Sequence, residues 1–356
     1  SMFILNMILF TVMAIGAGLA PDPYTFTAFR TALGFALGAD TATGFSYIFE
    51  YLEKNQRLFW SNLWQLQWNI MYLTTIAIVV LPLYAIYHTL THPIYWRVIM
   101  ILGGVFAFII LMFRSRIPES ILWLAYQGKL ATAKRILKQA YGIDLPDVPD
   151  VDVELRKVAR SWRSLFSIYR RNKWKELIYC FNGNLDQAVE GASIAYYTPF
   201  MVMSLHLAGG LATIGASAIV YTAGVVAGIT TAYLTPKIGT KSQYVLGAFL
   251  AGISLFVLSL TFLYHWPLWL FILWASLFYF GHTIGPASQG MTSINAAFGA
   301  HERGTAAGWG YFWVKIGATW GALWAPTFIE VLGVAKMTEI LGTYALITAI
   351  LGLILG

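Results

Sequence analysis

Charge is scarce in this chain, and its scarcity decides the class. Only 11% of the 356 residues are charged and the mean hydropathy is +0.65, against about 25% charged residues in soluble domains, so a soluble fold is excluded. Cysteine is nearly absent. Cys180 stands alone, so neither an intramolecular disulfide nor a cysteine metal site holds the chain together, and its role is that of a small buried apolar side chain. No His-Glu-x-x-His or related spacing supports a metal, and no nucleotide loop or nucleophile motif is found. The reading is of a protein that is not an enzyme and needs no cofactor.

What is there is apolar and long. Ten stretches, at roughly 2–20, 26–50, 59–86, 94–113, 176–205, 209–234, 241–264, 267–296, 305–330 and 340–356, approach or exceed the ~20 residues that cross a hydrocarbon core. Strand alternation is missing, so these are helices: lipid gives the backbone no other partner. The first lacks the basic start and small-residue cleavage site of a signal peptide.

The net charge of +7 is explained by its placement. Lys54, Arg57, the basic residues of 114–175, Lys237, Lys241 and Arg303 fall on one side of alternating crossings, while Arg97 and Lys336 fall on the other. That asymmetry predicts a multi-pass protein of the cell membrane with 114–175 in the cytoplasm, and it leaves no need for a nucleic-acid partner. The insertion 114–175 has apolar residues at helical spacing (Ile121, Leu124, Ile136, Leu137) with lysines opposite, which reads as short amphipathic helices on the membrane face. The acidic, proline-bearing IDLPDVPDVDVE after it reads as a bend. The domains expected are a first bundle at 1–113, this linker, and a six-helix bundle at 176–356.

Ionisable groups inside crossings are expensive, and they mark function. Arg30 and Asp40, in RTALGFALGAD, are such a pair. Arg30, Gly34 and Gly38 leading to Arg57 echo Gly281, Gly285 and Pro286 leading to Arg303, a weak internal repeat of the kind found in repeat-built transporters.

These residues resemble a known family. RTALGFALGADTATGFSYIFEYLEKNQR is similar to the fourth helix and following loop of the major facilitator superfamily, in its sugar porter and phosphate:proton symporter branches. RIPESILWLAYQGKLATAKRIL, KIGTK and ERGTAAGWGYFWVKIGA continue the likeness in the family's order. The register implies an all-α membrane protein of that fold with ten of the usual twelve transmembrane helices, beginning at the third. It also implies a transporter that works by rocking of two bundles.

Within the branches, Asp40 in GAD, Asp186 in LDQAVEG and Lys315 in VKIGA resemble positions of the phosphate:proton symporters. The resemblance implies proton-carrying carboxylates and an anion-attracting lysine. Glu190 and Thr41 stand where those transporters have tyrosine, and Glu190 lies one helical turn from Asp186, which favours a titrating pair over an inorganic phosphate site. The sugar-porter pattern QQ-x-x-G-x-N is kept at Gln187 and lost at Ala192. Asn62, Gln65 and Asn69 form a polar stripe, and Gln289 and His282 are further inward polar residues, His282 reading as structural. Trp309, Trp313, Trp320 and Trp324 read as packing.

The expected substrate or coupling residues are Asp40, Gln65, Asn69, Asp186, Gln187, Glu190, Gln289 and Lys315, converging on one cavity with no metal. Arg57 and Arg303 resemble gate residues, with Glu50 as the acidic partner of Arg57 and Arg30 completing the charge network. The function expected is proton-coupled symport of a small polar or anionic metabolite, in contact with membrane lipids. A sugar or phosphate transporter, or a nontransporting subunit of a larger complex with a partner chain replacing the two helices, stays open.

Overall fold

The computed structural model describes residues 2–53, 56–90, 92–126, 128–146, 174–195, 197–204 and 210–356, and among them every regular element is a helix. In order these are α1 (Met2–Leu19), α2 (Pro23–Tyr51), α3 (Arg57–Thr75), α4 (Leu81–Tyr87), α5 (Ile94–Arg114), α6 (Ile121–Tyr126), α7 (Leu130–Tyr141), α8 (Trp174–Ala195), α9 (Thr198–Ser204), α10 (Gly210–Leu263), α11 (Leu268–His282), α12 (Ser288–Ala297) and α13 (Ala300–Leu355). Single π-helical turns, Ile76–Val80 and Thr283–Ala287, join α3 to α4 and α11 to α12. The acidic bend expected after Pro146 lies outside the described residues.

The 54 residues of α10 and the 56 of α13 would each run about 80 Å if straight, more than twice a hydrocarbon core. Each is two crossings. Gly239 (φ 82°, ψ 162°) breaks α10 and Gly333 (φ 79°, ψ 161°) breaks α13, in a backbone region open essentially to glycine alone. The four crossings predicted from 209 to 264 and from 305 to 356 are therefore present as two broken pairs.

The chain forms two compact units, 1–53 with 93–173 and 295–309, and 54–92 with 174–294 and 310–356. In the first, α1 packs on both α2 and α5. Gly18 fits against Ile101 and Gly104 against Ile15, the small-residue contact that lets helices approach where lipid offers no hydrophobic drive. Asp22 caps α2: its carboxylate accepts the Tyr24 and Thr25 amides, each at 2.9 Å, and the Thr25 hydroxyl at 2.6 Å, with Pro23 at the first turn. These bonds hold the exposed Asp22 carboxyl below the usual aspartate range, the Thr25 hydroxyl contributing most. On α7, Lys138 donates to Asp144 at 2.7 Å, and this bond and the lysine's charge hold the Asp144 carboxyl low as well.

In the second unit α10 packs on α3 and α11. Ala248, Ala251 and Ala275 are wholly buried, and Gly247 meets the backbone of Gly281 and Gly285. Phe271, Phe278, Leu255 and Leu258 fill the core beside them. Thus α3 groups with helices from the second half of the sequence, an association that a division of the chain at 113 and 176 does not anticipate.

Candidate transport site

Hydrogen bonds between buried amides and hydroxyls tie three helices of the second unit together. Asn62 on α3 donates to the Leu58 carbonyl at 2.6 Å and accepts from Gln289 Nε2 at 3.2 Å and from Thr292 Oγ1 at 3.3 Å, both on α12. Gln289 Nε2 also reaches Thr235 Oγ1 on α10 at 3.1 Å, and the Thr235 hydroxyl donates to Gln243 Oε1 at 2.7 Å across the Gly239 break. Gln243 Nε2 in turn donates to Thr231 Oγ1 at 2.8 Å. All six of these linked side chains are at 0% exposure, so every unmade bond here would leave a polar group stranded.

Beside this network lies a polar cavity of about 90 Å³. Its polar lining is Gln65, Gln187, His282, Thr283 and Lys315, and its aromatic walls include Trp64, Trp68, Tyr72, Tyr279 and Tyr311. Gln187 is 7% exposed and its Nε2 has no hydrogen-bond partner among the described residues. The Lys315 ammonium stands 4.8 Å from the centre of the Tyr311 ring and forms no ion pair among the described residues. An unused amide donor and a cation against aromatic faces suit a solute with hydroxyl or carboxylate oxygens and an apolar ring face.

A second cavity is larger, about 470 Å³, but only Ser193, Tyr344 and tryptophan nitrogens bring polar atoms to it. Trp320 and Trp324 are 55% and 43% exposed there. Of the two, the smaller cavity is lined by the greater number of amide, hydroxyl and charged side chains.

The remaining site residues fall elsewhere. Asp186 and Glu190 are at 0% exposure on α8, but neither lines the polar cavity. Asp186 faces Thr348, Tyr244 and Tyr344, and neither of its oxygens has a hydrogen-bond partner in acceptable geometry among the described residues. Glu190 Oε2 is 3.2 Å from Nδ1 of His282. At about 100° per residue, Gln187 points to the cavity and Asp186 away from it.

The polar stripe on α3 divides in the same manner. Gln65 lines the cavity, Asn62 joins the network, and Asn69 donates to the Gln65 carbonyl at 2.7 Å while its Oδ1 abuts Gly224. Gln289 belongs to the network and not to the lining.

In the first unit Asp40 is paired with Arg114, whose second terminal nitrogen also reaches the carboxylate at 3.2 Å. Arg30 instead meets the Met100 sulfur at 3.7 Å. Ten residues separate Arg30 from Asp40, about 15 Å along one helix and nearly a quarter turn off the shared face, so the two were never placed to pair directly.

Glu50 accepts from the Ser120 hydroxyl. Tyr47 and Tyr51 donate to the carbonyls of Pro118 and Glu119 at 3.1 and 2.9 Å, so the Pro-Glu-Ser segment docks on the end of α2. Arg303 donates from Nε to the Asn295 carbonyl at 2.9 Å and lies 5.4 Å from the Phe49 ring centre. It is the cation whose field reaches Glu50. Arg57 opens α3 in the second unit.

Membrane-spanning helices surrounding a polar cavity define a multi-pass membrane protein of the transport class. The profile of the Major Facilitator Superfamily matches residues 1–322, and the chain belongs to that family. It is 25% identical over 344 residues to the metabolite transport protein YwtG of Bacillus subtilis, covering 93% of this chain and 71% of that one. It is also 25% identical to the arabinose-proton symporter of the same organism, covering 92% and 71%. Identity to a D-xylose transporter of Levilactobacillus brevis is 26%, over 73% of this chain and 55% of that protein. The fold matches the proton:xylose symporter XylE bound to 6-bromo-6-deoxy-D-glucose, with a TM-score of 0.74 at 16% identity, covering 98% of this chain and 78% of that one. These relatives support the sugar porter-like branch.

Proposed function

We propose that this chain is a proton-coupled secondary transporter, working by alternating access, for a small solute of sugar type. The observation that carries the reading is the pairing, in one cavity, of the unsatisfied Gln187 amide with Gln65, Lys315 and aromatic walls. Sugar specificity is supported by relatives named for xylose and arabinose transport. Lys315 adds what a neutral sugar does not need, a cation, and extends the range to solutes carrying a carboxylate. Protons are carried by the enclosed carboxyls of α8, Asp186 and Glu190, which lie one helical turn apart and are both at 0% exposure. The segment 114–175 lies on the cytoplasmic face, as the lysine and arginine distribution supports.

The test is uptake into proteoliposomes of labelled D-xylose, L-arabinose, D-glucuronate and inorganic phosphate under an imposed pH gradient. At least one of the first three is expected to accumulate. Lys315→Gln should lower D-glucuronate uptake about tenfold, a plausible worth for one charge-assisted contact, and leave the neutral sugars close to wild type. Failure of all the organic probes to accumulate would overturn the reading.

A further inference from the structure

His282 stands at once in the lining of the polar cavity and beside the enclosed carboxyl of Glu190. Its imidazole is 7% exposed, with Nδ1 3.2 Å from Glu190 Oε2, and His282 is itself part of the cavity lining. The ring's other nitrogen lies over Gly191, where an added Cβ would stand 3.3 Å from Nε2. Glycine at 191 therefore leaves the room that lets the ring sit between α8 and the cavity. A charge enclosed as completely as Glu190 has to be met by a partner. The imidazole is the one this fold supplies, since Glu190 Oε1 has none among the described residues.

We propose that Glu190 and His282 form a proton-holding dyad, loaded from the cavity through His282 Nε2. This rests on the transporter reading and names the group through which the cavity exchanges its proton. In the unloaded dyad neutral His282 donates its Nδ1 proton to the Glu190 carboxylate, and the pair carries one negative charge. A hydronium ion in the cavity gives a proton to Nε2, leaving water; the Nδ1–H bond breaks as an O–H bond forms on Oε2. The product is neutral Glu190 beside the other neutral tautomer of His282, so one proton enters and the pair loses its charge.

The charged and titratable groups around the dyad are few. Asp186 is one turn earlier on α8, and Tyr344 on the second half of α13 lies within the field of both carboxyls. Tyr279 on α11 is stacked 6.1 Å from the imidazole. Lys315 and Tyr311, on the first half of α13, line the same cavity as the imidazole. The lysine thus faces a cavity whose wall changes charge as the dyad loads, which links solute binding to proton uptake.

The experiment compares wild type, Glu190→Gln and His282→Gln in bilayers, with retained monodispersity and melting temperature as the folding check. Infrared difference spectra across a pH titration, in H2O and D2O, should show a protonated-carboxyl band that Glu190→Gln removes and whose midpoint His282→Gln moves by about one pH unit. In liposomes both variants should lower, by about tenfold, the ratio of pH-gradient-driven accumulation to equal-pH counterflow of labelled D-xylose or D-glucuronate. A band that survives Glu190→Gln, a midpoint unmoved by His282→Gln, or wild-type accumulation by either variant overturns the dyad. If wild-type protein moves neither probe, the transporter reading fails for these solutes, and the infrared midpoints still decide the dyad.

Discussion

The two units handle enclosed polarity in opposite ways. In the first, carboxylates on α2 are met by groups at and just after the end of α5: Arg114 closes on Asp40 and Ser120 of the Pro-Glu-Ser segment closes on Glu50. In the second, neutral amides and hydroxyls are cross-bonded over three helices, and the enclosed carboxyl of Glu190 is met by a histidine. A matched ion pair fixes one arrangement, because opening it leaves a bare charge. Neutral groups and a dyad that shares its proton can exchange partners at smaller cost, which suits the part of a transporter that must bind and release.

The contrast can be broken most sharply at Gly191. A leucine there pushes into the His282 ring, and transport of whichever probe the wild type accumulates should fall about a hundredfold, the scale of misplacing a site by an ångström; near-normal transport would show that the ring's position is unimportant. Next is the network. Gln289→Leu removes the donor that the Asn62 and Thr235 oxygens share, leaving them only Thr292 and Gln243, and should cost about 1 kcal/mol per lost bond, read as loss of thermal stability in detergent, while Thr222→Val on the exposed face of α10 should cost little.

The first unit offers a cycle. Arg114→Gln alone should destabilise by about 1 kcal/mol, discounted because both side chains are partly open to solvent (24% and 18%), and Asp40→Asn added to it should recover part of the loss. Equal destabilisation by the single and double variants would remove the ion pair from the comparison.

The smallest effect expected is at Asp22. Its carboxyl is held low in the folded state, so the cap contributes stability above the ordinary aspartate value of about 3.9, and that contribution fades as pH falls through the lower folded value. The difference in thermal stability between wild type and Asp22→Ala should shrink over that acid range. A difference that grows on acidification would reverse the sign of the argument.

The fold was legible because lipid leaves so few options. Ten apolar stretches had to be helices, and the motifs from RTALGFALGAD to ERGTAAGWGYFWVKIGA carried the family. The candidate site was less legible, since depth in the membrane says nothing of direction around a helix axis. Gln65, Gln187 and Lys315 line the cavity, whereas Asp186, Glu190, Gln289 and Asn69, equally polar and equally deep, turn elsewhere. Arg114 escaped notice as a partner of Asp40 because it is 74 residues away and stands at a helix end, among basic residues explained as topology. His282 read as structural because a lone histidine carries no spacing signal, and only tertiary contact reveals the carboxylate it faces.

The breaks at Gly239 and Gly333 have a mechanical side. A longer loop would absorb the tilt of one crossing as slack, but a single residue near φ 80° and ψ 160° stores almost none, so each pair of crossings behaves as a bent lever without backlash. Tilting one arm therefore bears directly on the other, across a joint whose backbone conformation glycine alone holds without strain. Alanine at either joint would stiffen it and cost about 1–3 kcal/mol of strain, slowing any cycle in which those arms swing.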